Sequence, residues 1–198
     1  QNVNGTWTQI GSDIDGEAER DESGSSVSLS ADGSVVAIGA TGNDSNGSNS
    51  GHVRIYQNVN NTWTQVGNDI DGEAADDHSG ISVSLSSDGT VIAIGADFND
   101  GVNGSYSGHV RIYQNVNNTW QQIGSDIDGE AAGDWSGRSI SLSDDGTIVA
   151  IGARYNNGNG DESGHVRIYQ NISGIWTQIG SDIDGELQYD QSGYAVSL

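Results

Sequence analysis

The stretch from Ser79 to Ser125 decides the fold, and it reads SGISVSLSSDGTVIAIGADFNDGVNGSYSGHVRIYQNVNNTWQQIGS. Near-identical stretches recur at a period of 56 or 57 residues, which is also the spacing of four tryptophans, Trp7, Trp63, Trp120 and Trp176. A repeat of this length indicates one supersecondary unit that cannot bury its apolar face alone and stacks on copies of itself. The repeat therefore predicts an array of similar units.

The pattern of apolar residues within this stretch predicts four strands and no helix. The first segment alternates apolar and small polar residues, and the second is apolar throughout, as expected of a strand covered on both faces. An Asp-Gly pair follows the first strand and an Asn-Asn pair follows the third, and both favour tight turns. The four predicted strands are Gly80–Ser86, Val91–Ala96, Gly108–Tyr113 and Thr119–Ser125.

Four consecutive antiparallel strands per repeat predict an all-β fold of β-propeller-type blades, with about three and a half repeats in the chain. The predicted divisions are a partial repeat at 1–22, blades at 23–79, 80–136 and 137–191, and the first strand of a further blade at 192–198. Propellers close with about four to eight blades. We therefore expect a part of something larger, either a closed propeller or an open array.

The composition excludes several classes of function. The chain has 28 acidic residues against six arginines and no lysine, giving a formal charge of −22 that repels nucleic acid. The same acidity would suit a saline habitat. Cysteine is absent, so no disulfide or thiolate metal site is expected, and no apolar run is long enough for insertion into a membrane. Because no catalytic constellation stands out from the repeats, we expect no enzyme.

The repeated block resembles the FG-GAP repeat of integrin-α-like propellers. In the first copy it reads Ser23-Gly24, then Gly39-Ala40, then Gly51-His52-Val53-Arg54-Ile55-Tyr56, and it recurs from Ser79 and from Ser136. The resemblance implies an extracellular adhesion or ligand-binding scaffold. Such propellers tend to hold calcium between the first two strands, but here that connection is a bare turn at 31–34, too short to wrap a cation.

An acidic segment in each repeat is the best candidate for a metal site. Alternating carboxylates and a turn glycine could supply the hard oxygen ligands that calcium prefers. The other interpretation is a structural turn in which aspartate side chains accept backbone N–H bonds. The candidate ligands are Asp13, Asp15, Glu17, Asp21, Asp69, Asp71, Glu73, Asp77, Asp126, Asp128, Glu130, Asp134, Asp182, Asp184, Glu186 and Asp190.

The other repeated side chains are expected to be structural. The arginines of the third strand need carboxylate partners if they are buried, and the nearest candidates are Asp21, Asp77 and Asp134. The histidines two positions earlier are expected to be satisfied structural residues, too far apart to share one metal ion. The tryptophans are expected to pack between blades with their indole N–H groups bonded. These residues are Arg54, Arg111, Arg167, His52, His109, His165 and the four tryptophans named above.

Sequons for N-glycosylation are frequent, and several occupy the turn between the third and fourth strands. If the protein is eukaryotic and secreted, we expect glycans there. The candidates are Asn4, Asn60, Asn117, Asn171, Asn43, Asn46 and Asn103.

Together these features predict a non-enzymatic extracellular or cell-surface scaffold for adhesion or structural interaction. Its loops of variable sequence, Thr41–Ser50, Asp97–Ser107 and Arg154–Ser163, would contact a protein or a carbohydrate. Two alternatives stay open: a self-assembling repeat that builds a surface filament or sheath from copies of itself, and a lectin-like propeller that binds carbohydrate through its aromatic residues.

Overall fold

A computed structural model describes all 198 residues and contains strands but no helix. After a two-stranded ribbon at the start, three sheets follow in chain order, one for each full repeat. The strands are β1 (Asn2–Val3), β2 (Thr6–Trp7), β3 (Ser23–Leu29), β4 (Val35–Ala40), β5 (His52–Val59), β6 (Thr62–Gln65), β7 (Ile70–Asp71), β8 (Ser82–Leu85), β9 (Val91–Ala96), β10 (His109–Val116), β11 (Thr119–Gln122), β12 (Ile127–Asp128), β13 (Ser139–Leu142), β14 (Ile148–Ala153), β15 (His165–Ile172), β16 (Ile175–Gln178) and β17 (Ile183–Asp184).

Each sheet is an antiparallel blade whose strands pair in chain order, for example β3-β4-β5-β6 in the first. The fourth strand is interrupted, because β6 pairs with the end of β5 and β7 pairs with its beginning, where His52 faces Asp71. The expected all-β fold of propeller-type blades is confirmed. The two-residue pieces β7, β12 and β17 lie inside the acidic segments.

The hairpin turns follow from their side chains. In the second blade, Asp88 Oδ1 accepts hydrogen bonds from the backbone N–H of Thr90 at 2.9 Å and from Ser86 Oγ at 2.7 Å. The turn between the third and fourth strands has positive φ at Asn117 (54°) and Asn118 (63°), a conformation that asparagine tolerates better than most residues. Both predicted turns are confirmed.

The apolar core lies between the blades. Val53 and Ile55 on one face of the first blade pack with Ile92 and Ile94 on the opposite face of the second. The same pairing of unlike faces recurs between the second and third blades, where Ile112 packs in a cluster with residues of β13 and β14. Each blade thus buries the face of its neighbour, which explains why the repeat occurs in series.

Glycine is required where neighbouring blades come closest. A Cβ atom on Gly95 would lie 2.0 Å from the carbonyl oxygen of Gly137 in the next blade and 2.5 Å from Ser82 Oγ. Gly39 and Gly152 occupy the equivalent positions, with the carbonyl oxygens of Gly80 and Gly193 at 2.1 and 2.0 Å. The repeated A-I-G-A sequence therefore marks the contact between blades.

The two outer faces of the array differ from the inner ones. Val27 and Leu29 of β3 are 64% and 58% exposed, whereas their counterparts in the second blade are half-buried (Val83) and buried (Leu85). At the other end, residues 193–198 of the predicted segment 192–198 are not in a strand. Leu198 nevertheless donates its N–H to Ser141 Oγ at 2.9 Å, as Leu142 does to Ser84 Oγ.

No helical segment of the structure could cross a bilayer.

Candidate functional site

Each blade brings one histidine together with two carboxylates from different repeats. In the first blade, Nδ1 of His52 lies 3.9 Å from Glu17 Oε2 and 3.9 Å from Asp69 Oδ2. In each of three such groups, one ligand atom per residue lies within 4.8 Å of the others. The three groups are Glu17–His52–Asp69, Glu73–His109–Asp126 and Glu130–His165–Asp182. These side chains could hold a metal ion.

The fold assembles the group from three separate segments. His52 begins β5, whose first two residues pair with β7, and Asp69 lies directly before β7. Glu17 comes from the acidic segment one repeat earlier. No three carboxylates of a single acidic segment form a comparable group. The carboxylates that meet here therefore come from two acidic segments, because the repeat period does not tell which neighbouring segments meet in space.

The histidines are buried without the hydrogen bonds that we expected. The side chains of His52 and His165 are each 1% exposed, and neither ring nitrogen of either residue has a hydrogen-bond partner. Burial, together with the nearby Arg111, lowers the pKa of His109 to about 4. Burial also lowers the pKa of His165. The His109 ring is therefore neutral at pH 7, with one nitrogen lone pair available.

The arginines pair with other groups than the predicted ones. Arg54 donates through Nη2 to the backbone carbonyl of Asp15 at 2.7 Å, and its Nη1 lies 3.6 Å from Glu17 Oε1. Its guanidinium also lies over the ring of Tyr56. Arg111 and Arg167 repeat these contacts with Glu73 and Glu130. The carboxylate that faces the histidine is thus also the one that faces the arginine.

The last aspartate of each acidic segment has a structural role. Oδ2 of Asp77 accepts the backbone N–H of Ala74 at 2.9 Å and the Nδ2 group of Asn99 at 3.1 Å. The same pair of bonds is made by Asp21 and by Asp134, and all three aspartates are buried. The structural-turn interpretation therefore holds for these three, which neither pair with the arginines nor join the histidine groups.

The remaining candidate ligands are divided among several contacts. Oδ1 of Asp13, Asp69, Asp126 and Asp182 accepts a hydrogen bond from a glutamine four residues earlier. The backbone carbonyls of Asp71 and Asp128 accept hydrogen bonds from Arg111 and Arg167.

Two carboxyl groups of these segments have raised pKa values. Burial raises the pKa of Glu73, and burial with the nearby Asp126 raises the pKa of Asp128. In the last segment, Asp184 Oδ1 lies 4.0 Å from His165 Nδ1, Asp190 Oδ2 accepts the N–H of Leu187, and Glu186 joins no group.

Three of the four repeated tryptophans connect neighbouring repeats. Nε1 of Trp63, Trp120 and Trp176 donates to the backbone carbonyls of Ile10, Val66 and Ile123, at 3.0, 2.8 and 2.8 Å. Trp7 is 79% exposed and makes no such bond. The predicted packing role holds for three of the four.

The sequon asparagines divide into exposed turns and engaged side chains. Asn4, Asn60 and Asn117 are exposed in the turn between strands, while Asn171 lies within β15 and is half-buried. Asn46 and Asn103 use their side-chain amides to donate to the carbonyls of Gly72 and Gly129. Asn43 is buried and donates to Asp21, so it is a poor acceptor for a glycan in the folded chain.

An aromatic cluster lies among the loops of the second and third blades, and sequence analysis missed it. Phe98 contacts His78, Tyr106 and Trp135, with ring centroids 4.5–5.1 Å apart. Trp135 meets Tyr155 edge-on at 4.6 Å. The guanidinium of Arg154 lies over the rings of Trp135, Tyr155 and Tyr194.

Beside this cluster is an open cleft of about 510 Å³. Its walls include Trp135, Tyr155 and Tyr189, with the polar side chains of Asn157, Asp161 and Glu162. In the other repeats the residues equivalent to Trp135 are Glu22, His78 and Gln191, so this part of the cluster is not repeated. Only this departure from the repeat could have indicated the cleft in the sequence.

Comparison with known families confirms the resemblance seen in the sequence. Residues 12–56 and 126–169 match the FG-GAP repeat. Each match runs from an acidic segment through the first three strands of the following blade. No curated protein matches the chain in sequence.

Several solved structures share the fold at low sequence identity. Sqt1 of Saccharomyces cerevisiae has a TM-score of 0.53 and 16% identity, over 86% of this chain and 38% of its own. Hydrazine synthase of Kuenenia stuttgartiensis has a TM-score of 0.52 and 13% identity, over 94% and 42%. A Bacteroides uniformis protein described as a 6-phosphogluconolactonase has a TM-score of 0.52 and 14% identity, over 82% and 41%. These β-propeller-like neighbours show the fold alone, and this chain spans less than half the length of each.

Proposed function

Because two stretches of the chain match the FG-GAP repeat, we propose that it is a non-enzymatic scaffold of the extracellular space or cell surface that serves adhesion or structural interaction. FG-GAP repeats are typically extracellular, which supports this location. The partner would be a protein or a carbohydrate. The glycans expected at exposed sequons such as Asn60 and Asn117 belong to the same proposal.

The observation that carries the proposal is the separation of a repeated frame from non-repeated loops. Glycine contacts, arginine pairs and indole hydrogen bonds recur between blades, whereas the aromatic cluster occurs only between the loops of the second and third. Exposed aromatic side chains beside polar groups are typical of recognition surfaces. Specificity would therefore reside in the loops, and the frame would hold them in place.

The cleft favours a lectin-like mode of recognition as the second candidate. Sugars present apolar C–H faces that stack on aromatic rings, and hydroxyl groups that bond to carboxylates and amides. Trp135, Tyr155 and Tyr189 supply the first kind of contact, and Asn157 and Asp161 supply the second. This alternative specifies the partner of the same scaffold.

Self-assembly into a filament or sheath is supported by the two outer faces. Leu29 is 58% exposed at one end and Ile183 is 54% exposed at the other, while their inner counterparts Leu85 and Ile127 are buried. A second copy of the chain could cover these faces, as could further blades. Sedimentation over a range of concentrations distinguishes this alternative, since a filament grows with concentration and a monomeric scaffold does not.

The proposal can be tested by exchanging loops of equal length. Replacing residues 154–163 with the sequence of 41–50 removes Arg154 and Tyr155 but keeps asparagine at the positions of Asn156 and Asn159. The folded parent should be retained on arrays of glycans or extracellular-matrix proteins, and the exchanged chain should not. A Trp7→Ala variant is the control, because Trp7 lies outside the cleft. Equal binding by parent and exchanged chain would contradict recognition by this loop.

A further inference from the structure

We propose that each blade binds one divalent transition-metal ion, with zinc as the best fit, through the histidine group of that blade. In the second blade the ligands would be Nδ1 of His109, Oε2 of Glu73 and Oδ2 of Asp126. The three groups would give three ions per chain. The inference is independent of adhesion, because it concerns the repeated frame and not the variable loops.

The spacing of the ligand atoms fits an ion between them. Nδ1 of His109 lies 3.8 Å from Glu73 Oε2 and 3.9 Å from Asp126 Oδ2, too far for direct hydrogen bonds. Two ligands that each lie about 2.1 Å from a tetrahedral zinc ion are about 3.4 Å apart. A small rotation of the partly exposed carboxylates would close this difference. The fourth coordination position of the ion would remain open to solvent.

The buried histidine is an observation independent of the carboxylates. Its side chain is 1% exposed in the first and third blades, and Nδ1 has no hydrogen-bond partner although two carboxylate oxygens face it. A buried polar atom without a partner carries a free-energy cost, which an ion at that position would remove. An imidazole nitrogen also favours zinc and similar metals over calcium, which prefers oxygen ligands alone.

The charges around the group favour a divalent cation. Two carboxylates face the histidine ring, and one arginine lies beside them: Arg111 Nη1 is 3.6 Å from Glu73 Oε1. The arginine holds one oxygen of Glu73 and leaves Oε2 directed toward the histidine. Such an outer partner orients a metal ligand. The formal charge of −22 adds a long-range attraction for cations.

The test is the number of zinc ions bound per chain after treatment with a chelator, measured by calorimetric titration and by elemental analysis after dialysis. We expect three for the parent and two for His109→Ala. His78→Ala is the matched control, because His78 is the fourth histidine and belongs to no group, so this variant should still bind three. Asp126→Asn, at a half-buried position, replaces His109→Ala if that variant does not fold, and it should weaken one of the three sites.

Two further measurements decide which ion binds and how. X-ray absorption of the zinc-loaded chain should show one nitrogen ligand and oxygen ligands at each ion, and the melting temperature should rise with zinc because only the native state assembles the group. The proposal is overturned if no stoichiometric zinc is bound, if the number is the same in His109→Ala and His78→Ala, or if calcium fills the sites and zinc does not. Uniform weak uptake that salt abolishes would mean only a diffuse cation atmosphere.

Discussion

Substituting alanine for Gly95 should destabilise the array at the contact between the second and third blades. The added Cβ would lie 2.0 Å from the carbonyl oxygen of Gly137, where a carbon and an oxygen normally remain about 3.3 Å apart. Relieving this overlap means moving two blades apart across a packed core, which typically costs about 1–3 kcal/mol. The bond from Ser82 Oγ to the same carbonyl, 2.7 Å long, would also weaken, at a cost of about 1 kcal/mol.

Alanine also loses less backbone entropy than glycine in a strand, which returns about 0.5–1 kcal/mol. We therefore expect Gly95→Ala to lower the free energy of unfolding by about 1–3.5 kcal/mol, measured by urea denaturation. Gly152→Ala is the matched control. Its Cβ meets the carbonyl oxygen of Gly193 at 2.0 Å, but residues 193–198 form no strand and can move aside, so the loss should stay below about 1 kcal/mol. The reasoning is refuted if Gly95→Ala lowers the free energy of unfolding by less than about 0.5 kcal/mol, or if both variants lower it equally. Either result would mean that the second and third blades are not in close contact at Gly95.

Three further predictions concern burial, charge and modification. Ile112→Ala should cost about 2–5 kcal/mol because it opens a cavity between blades, whereas Ile172→Ala, at a 55% exposed position, should change stability by less than about 0.5 kcal/mol in the same urea assay. Burial raises the pKa of Asp97 above its ordinary 3.8, so the folded state holds this proton more tightly than the unfolded state. The folded state therefore loses stability as the pH rises from 3.8 through the raised pKa of the folded chain. Asp97→Asn should therefore gain stability relative to the parent as the pH is raised from 3.8, and a pH-independent difference would contradict this. In a chain secreted by a eukaryotic host, glycopeptide mass spectrometry should find a glycan at Asn60 but none at Asn43, which is buried and donates to Asp21.

The local structure could be predicted from the sequence because it depends on local patterns. The apolar run 91–96 is β9 to the residue, and the turns at Asp88-Gly89 and Asn117-Asn118 form as their residue types indicate. The indole bond of Trp120 was also foreseen as an interaction between repeats, although its acceptor was not.

The site could not be predicted because its members come from different repeats. Glu73, His109 and Asp126 are separated by 36 and 17 residues, and the period relates each to its copies but not to its neighbours in space. The predicted partner of Arg111, Asp77, was wrong for the same reason. A carboxylate was expected, and the sequence held several at similar spacing, so only the order in which blades pack identifies Glu73.

The central claim is that successive repeats pack as successive blades, and hydrogen exchange of the tryptophan indole N–H groups tests it most directly. The chain has five tryptophans, and their indole signals can be followed individually by NMR. Trp63, Trp120 and Trp176 each donate to a carbonyl of the preceding repeat and should exchange slowly, whereas Trp7 and Trp135 have no such bond and should exchange fast. Exchange of the three repeated indoles at the rate of Trp7 would contradict the packing of one repeat against the next.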